Sequence, residues 1–105
     1  MKNFKGFTNT ETFTPVPDSF FNHLLGAIES AAELKVAIVA IWHIQHMQSR
    51  FKAIGPADFD HSALGLSPEE LQLGLAAAVE RRILLRAEHQ GEVMLFLNSP
   101  LGRAS

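Results

Sequence analysis

The chain contains no cysteine, so disulfides and thiolate nucleophiles are excluded, and a reducing cytoplasm is its simplest home. It also lacks a long apolar run. The longest, Val36 to Ile44, is interrupted by His43 and is roughly half of a ~20-residue membrane span. Lys2 and Lys5 are followed by no continuous apolar stretch, so the amino terminus does not read as a secretory signal. No membrane partner is expected. Gly-rich phosphate loops, nucleophile elbows and zinc signatures are missing as well. His43 and His46 are spaced to share a helix face but have no third ligand beside them, while His23, His61 and His89 are dispersed. Asp58 and Asp60 suit capping or solvated roles better than paired acid-base chemistry, and no motif sets a base beside Ser62 or Ser67. No enzyme activity, cofactor, metal or small-molecule substrate is expected.

Positive charge is scarce where a nucleic-acid reader would need it. The net charge is −2. Residues 31–55 carry a small positive excess from Lys35, Arg50 and Lys52, but residues 56–105 are net acidic, the wrong sign for a strong phosphate-binding surface.

What is present begins with size: 105 residues, 47% of them hydrophobic, suffice for one domain with one core. Ser67-Pro68-Glu69-Glu70 is a capping box with Pro at the first helical position, and Leu71, Leu75, Ala78 and Val79 continue at helical spacing. That helix is predicted from Pro68 to about Arg81-Arg82. A hairpin follows, with strands Ile83–Ala87 and Glu92–Leu97 around a Glu88-His89-Gln90-Gly91 turn; Leu85 and Ala87, like Val93, Leu95 and Leu97, are expected to alternate with outward positions.

Upstream, residues 1–16 read as an extended aromatic arm containing Phe4, Phe7 and Phe13 and closed by Thr14-Pro15-Val16-Pro17. Two readings of the arm stay open: a disordered terminus, or a segment packing on this domain or a neighbouring subunit. A first helix is predicted from Pro17 or Asp18, with a stripe of Phe20, Phe21, Leu24, Leu25 and Ile28. A second, from about Ala32 to Met47, has no clean polar face and needs cover on more than one side. Phe51–Ile54 suits a third, edge strand, and Pro56–Leu64 a short helix with Phe59 and Leu64 inward. The core domain is thus 17–100, with 101–105 a tail that suggests a chain cut from a longer protein.

The expected fold is mainly α (α+β): a winged helix-turn-helix with an extra amino-terminal helix and a two- to three-stranded antiparallel wing. Two segments strengthen it. Phe13-Thr14-Pro15-Val16-Pro17-Asp18-Ser19-Phe20-Phe21 with Leu24-Leu25, and Glu33-Leu34-Lys35-Val36 opening an apolar helix, resemble the amino-terminal domain of DnaD-like primosomal replication proteins and related phage replisome organisers. The resemblance covers nearly the whole chain in order of elements, through short, mostly hydrophobic motifs. It implies a role in replication initiation or restart, through self-association and DNA-related assembly with other replication proteins. In the DnaD proteins a second, DNA-binding domain follows; it is not within these residues. The recognition-helix position departs from a DNA reader, opening on Glu69-Glu70, with Gln72 as its one neutral polar reader and Leu73 where a polar residue is expected.

Candidate DNA contacts are therefore Arg50, Lys52, Gln72, Arg81, Arg82 and Arg86, although Arg81 and Arg82 also suit a helix carboxyl terminus without any partner. Candidate self-association residues are Phe4, Phe7, Phe13 and Leu73, apolar positions in excess of what a small monomer covers. Self-association as a homo-oligomer is the expected main activity, with weak DNA contact beside it. A sequence-specific transcriptional regulator of the winged-helix type is the alternative.

Overall fold

A computed structural model describes residues 3–104; Met1 and Lys2 of the arm and Ser105 of the tail lie outside the described residues. The molecule is a small α+β domain with three α-helices and a two-stranded antiparallel sheet among the described residues. Helix α1 runs Ala31–His46, α2 Pro68–Glu80 and α3 Pro100–Ala104; strands β1, Leu84–His89, and β2, Glu92–Leu97, form the hairpin.

Helix α1 starts one residue earlier than the apolar pattern suggested, because the Ser30 side chain accepts from the Glu33 amide at 3.0 Å and caps it. It packs on α2 and on β2. The crossing with α2 is close because its facing residues are small. A Cβ built on Gly74 would fall 2.7 Å from the Ala32 carbonyl oxygen, and Ala37, Ala40 and Ala78 are fully buried in the same core. Phe20, Ile54, Phe59, Leu66, Ile83, Leu84 and Leu95 close around this contact.

The capping box at the start of α2 is formed: Ser67 Oγ accepts from the Glu70 amide at 3.1 Å, and the Glu70 carboxylate accepts from the Ser67 amide at 2.8 Å. The other end is a Schellman motif built without glycine. Ile83 N–H reaches the Ala78 carbonyl and Arg82 N–H the Val79 carbonyl, with Arg82 left-handed at φ 68°. Tertiary contacts hold this conformation: the Asn98 side-chain amide donates to the Arg82 carbonyl, and the Asn98 N–H to that of Ile83.

Several expectations are corrected. The predicted first helix does begin at Asp18, but it widens over Phe20–Leu24, where the Leu25 N–H bonds five residues back to the Phe20 carbonyl, and ends there instead of running on to Ile28. That widening buries Phe20, leaves Leu24 and Ile28 partly covered and exposes Phe21 and Leu25. The predicted helix over Pro56–Leu64 is one 3₁₀ turn, Pro56–Asp58, followed by a turn that Asp60 caps through the amides of Ser62 and Ala63; Phe59 is nevertheless buried. Phe51–Ile54 supplies one bridge, Ile54 to Leu95, so there is no third strand among the described residues. Phe51 packs edge-on against Phe96 instead.

The hairpin turn has two residues, Gln90-Gly91, both at positive φ, as a type I′ turn requires. The register pairs Leu84 with Leu97, Arg86 with Leu95 and Glu88 with Val93. Leu84 is therefore the buried residue of β1, and Leu85 and Ala87 lie on the opposite face from Val93, Leu95 and Leu97. Side-chain parity puts Arg86 on the face with Leu95. The tail is the short helix α3, whose Gly102 lies so close to the Leu97 carbonyl that a Cβ would collide with it.

Two stability measurements follow. Gly74→Ala should destabilise the domain by about 1–3 kcal/mol, since two backbones and Val36 would have to move apart; urea denaturation checks it. Arg82→Gly should stabilise by about 0.5–1 kcal/mol, the left-handed cost relieved less the entropy glycine adds to the unfolded chain.

Candidate interaction surface

The cations that sequence reasoning offered to DNA are largely engaged with this domain. Arg81, just past α2, meets the buried carboxylate of Glu33 at the first turn of α1 through two bonds, Nε to Oε2 at 2.6 Å and Nη2 to Oε1 at 3.2 Å. That hydrogen bonding raises the Arg81 pKa above its ordinary value. The pair ties the end of α2 to the beginning of α1. The Lys52 ammonium donates to the Met47 carbonyl at the end of α1, and Lys35 Nζ donates to the Leu64 carbonyl at 2.7 Å. Arg86 is paired with Glu88, Nη2 to Oε1 at 2.7 Å. Arg50 and Arg82 are exposed, the latter serving through its backbone at the α2 terminus.

The outward face of α2 carries no lysine or arginine. Glu69, Gln72, Leu73, Ala76 and Glu80 are exposed on it, and the Glu70 carboxylate is occupied by the cap. The hairpin tip adds Glu88 and Glu92. This is a face that repels phosphate. Of the residues proposed from sequence as DNA contacts, Gln72 and Arg86 line one groove between α2 and the hairpin, and Arg82 and Arg86 line a second cavity beside it.

The first groove has a volume of about 400 Å³. Its α2 wall is Gln72, Leu75, Ala76, Val79 and Glu80; the opposite wall is Arg86, Val93 and Leu95, closed at one end by Pro56. Its floor is apolar, and the charges on its rim are Glu80 and the Arg86–Glu88 pair. Sequence reasoning places none of Pro56, Leu75, Ala76, Val79, Glu80, Val93 and Leu95 at a site. The signal was the second α2 stripe, at 72, 76, 79 and 80, but its partner wall depends on strand parity, which the sequence left misassigned.

Apolar exposure is concentrated elsewhere. Phe4, Phe7 and Phe13 are 71, 85 and 79% exposed, and the Phe4 and Phe7 rings meet edge-to-face with centroids 4.8 Å apart. Leu73 is 70% exposed. On α1, Ile38 and Trp42 are exposed in a stripe continued by His46, whose ring packs against Trp42. Thr14 Oγ1 lies 2.8 Å from His46 Nε2 and fastens the root of the arm to the end of α1.

Among the described residues, no helix is long and apolar enough to cross a membrane, and no group of three or more His, Asp or Glu side chains could hold a metal ion. No protein-family model, curated protein or solved structure matches the chain.

Two exposed carboxylates are held in their ionised form by local hydrogen bonds. Hydrogen bonds from Ser62 and the Ala63 amide lower the Asp60 pKa, and those from Ser67 lower that of Glu70. Below the ordinary carboxylate range the unfolded chain binds protons that the folded chain resists, so their stabilisation is complete above about pH 5 and lost as pH falls through the lowered folded values. Melting temperature should stay level from neutral pH to about 5 and decline below about 4. Asp60→Asn with Glu70→Gln should flatten that decline.

Proposed function

We propose that this chain is a winged-helix domain of the DnaD-like kind, acting in the cytoplasm as a self-association module in the assembly of replication initiation or restart complexes. The observation that carries the reading is the exposure of Phe4, Phe7, Phe13 and Leu73, four large apolar side chains on a domain that already has a closed core. Supporting the winged-helix assignment is the order of elements. An apolar helix, a turn, a capped helix and a hairpin follow one another, with Ile54 bridging to β2 where a third strand would lie.

DNA contact is secondary in this reading. A recognition helix with Glu69, Glu70 and Glu80 and no cation opposes the phosphate backbone, and Arg81, Lys52 and Arg86 are held by Glu33, Met47 and Glu88. A sequence-specific regulator would need cations free on the same face as its base-reading residues. Fold alone does not supply that activity.

Light scattering of the 105-residue chain over a concentration series is the test. A dimer or larger species should persist from about 50 mM to 1 M salt, because apolar burial is not screened. Duplex DNA should bind weakly at the low end and be released by about 200 mM. A clean monomer throughout would overturn the reading.

A further inference from the structure

We infer that the aromatic arm of one copy docks in the groove between α2 and the hairpin of a second copy, with Phe4 and Phe7 on its apolar floor. This rests on the self-association reading and names the surfaces that carry it.

Charge selects the occupant. The arm holds Lys2 and Lys5 and no acidic residue before Glu11, so its leading segment is basic and aromatic. The groove is its complement: apolar along Leu75, Val79 and Leu95, with Glu80 on its rim. Arg86, the cation lining it, is neutralised by Glu88 at 2.7 Å, and Glu69 extends the negative edge along the outward side of α2. The exposed stripe on α1 is less suited to a basic arm. Its neighbours Lys35, His43 and His46 carry positive or titratable positive groups, and Trp42 is already in ring contact with His43 and His46.

Reach and area agree with an exchange between copies. Thr14 is held at His46, and the ten residues from there to Phe4 extend to about 35 Å. That reach is comparable with the 44 × 30 × 26 Å extents of the molecule, arm included. In its own copy Phe4 and Phe7 remain exposed. At about 150–250 Å² per aromatic side chain, the three arm rings offer roughly 450–750 Å². Two arms and the walls they cover in a two-fold arrangement exceed the roughly 1,000 Å² of a stable interface.

The experiment is sedimentation equilibrium of the full chain, with circular dichroism melts to confirm that each variant folds. Phe4→Ser with Phe7→Ser should weaken association about tenfold or more, as should Ala76→Arg, which fills the groove from an exposed helix position. Lys5→Glu and Glu80→Lys should each weaken it, and the two combined in one chain should recover part of the loss. An association that Ala76→Arg leaves intact and Trp42→Ser abolishes overturns the groove assignment while the self-association reading stands. A wild-type chain that remains monomeric overturns both.

Discussion

The structure depends on how closely α1 and α2 approach. Gly74 faces the Ala32 carbonyl and a methyl of Val36, at distances that leave no room for a side chain. At this position the two helices meet nearly backbone to backbone. Phe20, Phe59 and Leu84 belong to the same buried core. The Arg81–Glu33 pair stands at one end of this contact. Replacing either partner alone would leave a buried carboxylate unpaired or a guanidinium without its acceptor, which is costlier than the absence of the pair altogether.

That architecture leaves few of the arginines free to face a phosphate ligand. The end of α2 is where Arg81 and Arg82 would need to face a ligand. One is spent on α1, and the other occupies a left-handed position whose carbonyl is fixed by Asn98. Strand parity then turns Arg86 toward the groove and its neighbour Glu88 neutralises it. The resulting surface is acidic and apolar. Such a surface suits protein contact, and the basic aromatic arm is the segment of this chain with the matching chemistry.

The sequence was most legible where local interactions decide. The Ser67 capping box, the apolar α1, the hairpin and the inward Phe59 were all readable, because caps, periodicity and turn glycines act within a few residues. It was least legible where hydrogen bonds could be made in more than one local way. The segment after Pro17 has helical spacing, yet the Leu25 amide reaches back five residues and the turn ends. Pro56–Leu64 likewise divides at Asp60, whose carboxylate takes amides that a continuous helix would have used.

By itself the sequence determined a single cysteine-free domain, the start of α2, the existence of the hairpin, and an arm whose charge and aromaticity differ from the rest. Tertiary structure alone decided the hairpin's inner face, the partner of Arg81 and the groove. The physical reason is range. A cap joins residues three apart, whereas Glu33 and Arg81 are 48 apart, and Leu75 and Val93 become opposite walls only when strand register is fixed by the core. A shift of one residue in β1 would have put Leu85 inside and turned Arg86 away from the groove, and nothing in the local pattern of Leu84-Leu85 distinguishes the two.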